Sequence, residues 1–514
     1  MFRRRIAPWL LGSFALSGAA LLFDCVGAEP PIPSTGGDAA IDGTTGDSAG
    51  DTAPPIEGGG DADASAGDSS MGLDGDGGSV VDVVVHDGPK YSPPTETTTD
   101  LSDAAGILAQ DPTIAVGGST AVVVLDDIGG GTGYLQSTNG AVSFNAPAQF
   151  PGPGAANVTP TGYPSVARDA TNGNVYVAAL GVDGSLYNRI AFMTSTNGGA
   201  SFTAAVNAAD PALTSSDFTD VPWIAVDNAA GAGQGAVYFT YTRYGATADV
   251  HVSAYNQGSF SYTTPVTPVS PDQASLSTIA VGPNHYVYVV YYGATGGNPV
   301  VGFVKSTNQG VSFGAPVTVA PLHMPFVAGV YNGNLGLSGV GLDGGTTPVG
   351  FYASPQVAAN PITGSVYVAY ADATLGADKA NIYFAHSEDT GTTWSTPVQV
   401  NDDSTTSDQF LPAIAVSSDG TRLAIDFYDR RNDPSNLSAF RYGATATIKG
   451  ATITFDPNFK VSPSQFPVLT YPFNAGYFSI HTGMAADSTY FYDSFSQAAS
   501  GRVNVEVARY GVLY

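Results

Sequence analysis

The stretch SEDTGTTW, residues 387–394, is one of four copies of a phrase that also reads STNGAVSF from Ser137, STNGGASF from Ser195 and STNQGVSF from Ser306. Each copy closes a run of alternating apolar residues. Each keeps one order of residue types: a hydroxyl, Asn or Asp two residues on, Gly two further in three of the four, then Ser or Thr, then a large aromatic. Such residues build a tight hairpin turn. The side chain of Asn139, Asn197, Asn308 or Asp389 can accept from the turn's own amides, while Gly199, Gly310 and Gly391 can take a positive φ without Cβ strain. The aromatic, Phe144, Phe202, Phe313 or Trp394, then drops back onto the sheet. A phrase repeated at this interval marks a chain built from structural repeats.

Two further segments recur upstream of each phrase. The first reads PTIAV at Pro112, YPSVA at Tyr163, VPWIAVD at Val221, LSTIAV at Leu276, SPQVA at Ser354, LPAIAV at Leu411 and YFSIHT at Tyr477. The second follows a Gly, Asn or Asp turn, as in VYVAAL at Val175, VYFTYT at Val237, VYVVYY at Val287 and VYVAYA at Val366. Period-2 patterning rich in Val and Tyr predicts strands. Anchored on residues 114, 166, 224, 279, 357, 414 and 480, the units are spaced by 52, 58, 55, 78, 57 and 66 residues. Each is long enough for four strands, here lettered A (the IAV segment), B (the VYVAY segment), C (leading into the repeated phrase) and D (after it). Units of this kind bury their faces only against one another, so an all-β propeller of seven blades is expected. Six blades with an irregular cap is the alternative. The last unit ends after a third strand, so a segment between Thr95 and Leu108 is expected to return as its fourth and close the ring.

The repeated phrase resembles the Asp box, S-x-D-x-G-x-T-W, of secreted bacterial BNR-repeat proteins and sialidase-like β-propellers. The copy at Ser387 matches it fully, and the other three carry Asn for Asp and Phe for Trp. Stretch FYDRRNDP at Phe427 resembles a late-blade motif of the same proteins, and YFYDSF its last-blade counterpart. The resemblance implies the propeller fold across residues 93–514. It does not extend to a sialidase active site, which uses three arginines, a Tyr nucleophile activated by Glu, and an Asp acid/base. The mechanism depends on that Glu, because an unassisted phenol is a poor nucleophile. From position 100 onward the only glutamates are Glu388, inside the phrase at Ser387, and Glu506.

Composition limits the partners. The chain has 63 Gly, 35 Pro and 12% charged residues, a bias toward turns and strands. Its formal charge is −27, and 29 acidic residues against 13 Lys and Arg from position 100 onward leave −16 on the repeat region. Such a field repels nucleic acid and anionic membrane. A carbohydrate or surface polymer is the expected partner of a monomer.

Arg3, Arg4 and Arg5 precede an apolar run from Ile6 to Phe23, which reads as a secretory signal over residues 1–28. Cleavage after Ala28 leaves no cysteine and no transmembrane segment; lipoprotein processing at Cys25, the only cysteine, is the rival. Both routes export the protein. Residues 29–92 are rich in Gly, Ala, Ser, Asp and Pro and are expected to form a disordered acidic linker.

Strand alternation puts the repeated turns on one face of the ring and the B-to-C and D-to-A loops on the other. The four turns therefore read as structural: Ser137, Ser195, Ser306 and Ser387 and their Asn or Asp partners are hairpin staples. Ligand-binding candidates lie on the opposite, loop face, where strands B end in Arg243, Asp372, the run Asp429, Arg430, Arg431 and Asp433, and Asp493. Paired guanidiniums can present a planar fork to an anion, and the flanking carboxylates can equally neutralise them as an inter-loop clamp. Asp402, Asp403 and Asp408, on a loop entering the same blade, are hard-oxygen candidates for a structural Ca²⁺. No other cofactor is expected. The six His show no metal-ligand spacing, and no catalytic residue is assigned. The reading is a glycan-binding propeller, with a divergent glycoside hydrolase as its alternative.

Overall fold

The computed structural model describes residues 109–512, apart from 128–130, 154–157, 185–187, 246, 264–265, 268–273, 324–336, 342–345, 374–379, 471–477, 481 and 500–501. The recurrent segments form seven antiparallel sheets. Blade 1 is Ala109–Gly117, Thr120–Asp127, Gly131–Ser137 and Ala148–Gln149; blade 2 is Thr159–Arg168, Val175–Val182, Asn188–Ser195 and Val206–Asn207. Blade 3 is Phe218–Val226, Val237–Tyr244, Ala248–Asn256 and Ser259–Thr263; blade 4 is Ala274–Val281, Val287–Thr295, Asn298–Ser306 and Val317–Pro321. Blade 5 is Gln356–Ala359, Val366–Asp372, Asn381–Ser387 and Val398–Gln399; blade 6 is Gln409–Val416, Arg422–Asp429, Ser438–Lys449 and Thr452–Phe455. Blade 7 has Gly483–Ala486, Tyr490–Ala499 and Arg502–Gly511 among the described residues. Its expected fourth strand, residues 95–108, lies outside them, as do the signal and the acidic linker.

The sheets close into a ring around one axial cavity of about 250 Å³, to which Ile114, Val166, Ile224, Ile279, Val357, Ile414 and Met484 each present one blade's strand A. The last anchor is a correction. The alternating pattern pointed to Ile480, but Gly483 pairs with Ser494 and Met484 with Asp493, so the anchor of blade 7 is Met484, four residues later. Within six blades the residue three before the anchor has a positive φ: Asp111, Tyr163, Val221, Leu276, Ser354 and Leu411, at 51, 48, 40, 50, 42 and 50°. The ladder shifts register there in blades 1 to 4 and 6, a bulge that turns the end of strand A toward the loop face. A hydroxyl just before the anchor then bonds the next blade. Thr113 Oγ1 donates to Pro164 O at 3.2 Å, Ser165 Oγ accepts from Ile224 N at 3.2 Å, and Thr278 Oγ1 donates to Pro355 O at 3.0 Å.

Blade 7 meets blade 1 directly. Ser479 Oγ and Ile480 N both donate to Asp111 Oδ1 at 2.7 Å, and Tyr492, Val505 and Val507 pack on Ile114 and Leu135.

Each repeated phrase forms the C-to-D turn. Ser387 Oγ is buried, donates to Asp389 Oδ1 at 2.8 Å and accepts from Gly391 N at 2.7 Å, and Asp389 Oδ1 accepts from Thr393 N at 2.8 Å. Ser137 with Asn139, Ser195 with Asn197 and Ser306 with Asn308 repeat this pattern. The third residue before the Ser, on strand C, is a buried aromatic in all four: Tyr134, Phe192, Phe303 and Phe384. It receives an aromatic from the following blade edge-on. Phe202 meets Tyr134 with centroids 4.7 Å apart, and Trp394 meets Phe303 at 5.2 Å. In blades 3 and 6, which lack the phrase, an aromatic of strand D does the same: Phe260 on Phe192 at 5.5 Å and Phe455 on Phe384 at 5.3 Å. At these four junctions the ring pair is kept whether or not the repeated turn delivers it.

Two insertions on the loop face pair with each other. The segment after blade 4 makes a hairpin, Leu337–Gly341 with Thr346–Val349, and its first strand runs parallel to Leu469–Thr470 of the blade 6 to 7 connection, with Val340 N bonded to Val468 O at 2.9 Å. This small sheet joins connections that flank blades 5 and 6. Among the described residues no helix is long and apolar enough to cross a membrane.

Candidate functional site

Strand direction brings the ends of strands B and the starts of strands A to the loop face, so side chains there decide what it can bind. At the end of strand B in blade 3, Arg243 donates from Nε to Asp249 Oδ1 at 2.9 Å and from Nη1 to Asp217 Oδ1 at 3.3 Å, with Nη2 on Asp249 Oδ2 as well. His251 Nε2 shares Asp249 at 2.8 Å. Asp372, at the end of strand B in blade 5, is buried and accepts from His323 N at 2.9 and 3.0 Å and Ala373 N at 2.8 Å, with His323 Nδ1 at 2.9 Å. Burial pushes its carboxyl up despite these bonds.

The dense run in blade 6 is an internal clamp. The Arg430 side chain is 0% exposed, lies 5.1 Å from the Phe410 ring centroid, and has Nη1 3.6 Å from Asp408 Oδ2. Burial pushes it down to about 10, against the charges of Asp408 and Asp433. Arg431 donates from Nε to Asp429 Oδ2 at 2.9 Å, from Nη1 to Asp402 Oδ1 at 2.5 Å and from Nη2 to Asn458 Oδ1 at 2.8 Å, above the Tyr442 ring. Burial lowers its pKa, and the bonds and charge of Asp429 more than reverse this. Asp433 binds Leu437 N at 2.9 Å and Ser438 N at 2.7 Å and holds its own loop. Neither guanidinium of the expected fork faces outward: Arg430 is enclosed and Arg431 spans two loops.

The expected calcium ligands do not converge. Asp402 turns to Arg431 and to Asn458 N at 2.9 Å, Asp403 to Asn401 Nδ2 at 2.9 Å, and Asp408 to Asn436 Nδ2 at 2.6 Å. Among the described residues no three His, Cys, Asp or Glu side chains group closely enough to hold a metal ion.

Asp493 is a second correction. It lies inside strand B of blade 7, not at its end, and is fully buried. Its partner is Arg441 of blade 6, also 0% exposed, which donates from Nε to Asp493 Oδ2 at 2.7 Å and from Nη2 to Asp493 Oδ1 at 3.1 Å, and lies over Tyr428. Asp426 lies against Asp493 and accepts from Tyr510 OH at 2.6 Å. Burial, then the charge of Asp493, raises the Asp426 pKa well above the ordinary value. Because the folded pKa exceeds the unfolded one, the stability this group contributes is full at acid pH and is lost as pH rises through the folded pKa. Asp426→Asn keeps a donor toward Asp493 and an acceptor for Tyr510. It is expected to flatten that loss, so that denaturation midpoints of variant and wild type converge at acid pH and the variant is the more stable at alkaline pH. The opposite order at alkaline pH would mean that Asp426 is ionised in the fold.

Two carboxylates lie near the loop-face starts of strands A. Asp111 and Asp220 enter from strands A of blades 1 and 3, and the charge of Asp111 acts on Asp220. Asp220 is half-buried and accepts from Val221 N at 3.0 Å; burial, reinforced by Asp111, pushes it up to about 7. Neither was among the expected site residues. The available signal was an acidic residue at the bulge, Asp111, where other blades place Tyr163, Leu276 or Leu411, and one just before it, Asp220, where they place Gly162, Ser275 or Phe410. The phenols of Tyr370, Tyr428 and Tyr442 on this face are all raised by burial, the reverse of an activated nucleophile.

No protein-family model and no curated protein matches the chain. Solved structures similar to it include a Hadza microbial sialidase, at 13% identity and TM-score 0.43 over 71% of this chain and 68% of that one. An α-L-arabinofuranosidase from Fusarium graminearum gives 11% and 0.42 over 82% and 98%. An ulvan lyase gives 9% and 0.44 over 79% and 94%.

Proposed function

We propose that the protein is exported and binds an uncharged, hydroxyl-rich glycan on the loop face, beside Asp220. The observation that carries this reading is the contrast between Arg243, Arg430 and Arg431, each neutralised by neighbouring carboxylates, and Asp220, half-buried near the start of strand A of blade 3. An anionic ligand would meet no outward guanidinium of these three. A carboxyl near half-protonation at neutral pH can both donate to and accept from sugar hydroxyls. Export is supported by Arg3 to Arg5 ahead of the apolar run from Ile6 to Phe23. With labelled uncharged oligosaccharides, affinity should change with a midpoint near pH 7, the value for Asp220, and Asp220→Asn should remove that dependence. A pH-independent affinity would contradict a role for Asp220.

The charge of Asp111 acting on Asp220 favours a second reading, glycoside hydrolysis, since a carboxyl raised by burial and a neighbouring charge can serve as a general acid. Release of reducing sugar that disappears in both Asp220→Asn and Asp111→Asn would replace binding with hydrolysis.

A further inference from the structure

Blade 3 lacks the repeated turn, and its absence opens a second site on the opposite face. In blades 2, 4 and 5 the turn leans on the preceding blade. A Cβ on Gly199 would stand 2.2 Å from Val122, one on Gly310 3.1 Å from Tyr238, and one on Gly391 2.2 Å from Phe303. In blade 3 strands C and D are joined instead by the two-residue turn Gln257–Gly258, with φ of 49 and 89°. Tyr255 pairs with Val237 at the place where Ser195 pairs with Val175 in blade 2. The blade 2 residue that matches Val122 and Tyr238 is Tyr176, which in place of such a turn meets Tyr255 and stays buried.

Above Tyr176 lies a groove of about 410 Å³, between the A-to-B turn of blade 2 and the C-to-D turn of blade 3. Tyr176 and Tyr255 form its floor, with ring centroids 6.2 Å apart and planes at 56°. Asn172, Asn174, Gln234 and Gln257 supply its walls. Gln234 Nε2 donates to Thr171 Oγ1 at 2.9 Å across the two blades, which fixes one wall, and Asn174 Nδ2 is 3.4 Å from Tyr176 OH. The one carboxylate among the described lining residues, Asp169, is buried and turned into its own loop, accepting from Thr171 N at 2.8 Å.

We infer that this groove is a second carbohydrate-binding site, for an uncharged oligosaccharide. Four amides each offer a donor and an acceptor, the combination that two adjacent hydroxyls require. Tyr255, half-buried, presents its ring edge and hydroxyl to a sugar, backed by the buried ring of Tyr176. Among the described residues the lining holds no cation, and the chain's net charge of −27 repels anions. The site is independent of Asp220 and of the loop face.

The test uses calorimetric titration of the full chain with cello-, xylo-, manno- and laminarihexaose. At least one should bind. The double variant Gln234→Ala, Gln257→Ala alters exposed side chains and should leave the melting temperature unchanged while weakening that binding about tenfold or more, as expected for losing two hydrogen bonds. Tyr255→Ala should weaken it further, and Asp220→Asn should not. The inference is overturned if none of the four sugars binds, if the double variant binds as wild type does, or if a polar peptide shows the variant sensitivity in place of the sugars.

Discussion

Replacing Arg441 by Met is expected to lower the unfolding free energy by about 3–5 kcal/mol, because it leaves Asp493 buried without its partner. Both side chains are 0% exposed, and Arg441 also donates to Leu411 O at 3.0 Å and Thr482 Oγ1 at 3.0 Å, so one residue joins strand A of blade 6 to blade 7. The pair as a whole is worth less than the loss of one member. Arg441→Met combined with Asp493→Leu should therefore recover part of the stability, since an apolar replacement removes the desolvation cost of both charges. Chemical denaturation of the three proteins measures this. A double variant no more stable than Arg441→Met alone would show that the ion pair itself, and not its unmatched charge, dominates.

The second large effect is expected at Phe303. Its ring is 1% exposed, stacks on Tyr288 at 6.0 Å and receives Trp394 edge-on at 5.2 Å, so Phe303→Ala should cost about 3–5 kcal/mol. Trp394 is only half-buried, and Trp394→Ala should cost less. Asp389→Ala, which removes turn bonds at an exposed site, should cost about 1 kcal/mol. A double-mutant cycle on Phe303 and Trp394 should return a coupling of about 0.5–1.5 kcal/mol. Thermal unfolding that ranks Asp389→Ala above Phe303→Ala would mean that the turn, and not the ring pair, holds blades 4 and 5 together.

Much of this architecture was legible in the chain because a propeller repeats its solution. The IAV and VYVAY segments and the turns at Ser137, Ser195, Ser306 and Ser387 all occupy the strands and hairpins expected of them. Legibility failed where the repeat decays. In blade 7 Ile480 imitates an anchor, but the sheet is built on Gly483 and Met484. It failed again for contacts that no local pattern encodes. Leu469–Thr470 pairs with a hairpin more than a hundred residues earlier, and Arg441 finds Asp493 only once two blades are adjacent. The candidate site was the least legible part. Loop charges such as Arg430 and Asp433 attract notice in a sequence, yet neighbouring charges satisfy one another, and Arg430 ends with no exposed surface. Asp220 and Asp111 each sit singly at a strand end, and only ring closure gives them a common location.

The central claim is that the loop-face arginines are structural and that the ligand is uncharged. Its most direct measurement is the ionic-strength dependence of glycan affinity, taken on the full chain with matched neutral and acidic oligosaccharides. Recognition by neutral hydrogen bonding and ring contacts predicts binding of the neutral sugar with an affinity that is flat as salt is raised, since no ion pair is formed. Preferential binding of the acidic sugar, weakening steeply with salt and lost in Arg431→Ala, would contradict it and return that guanidinium to the ligand.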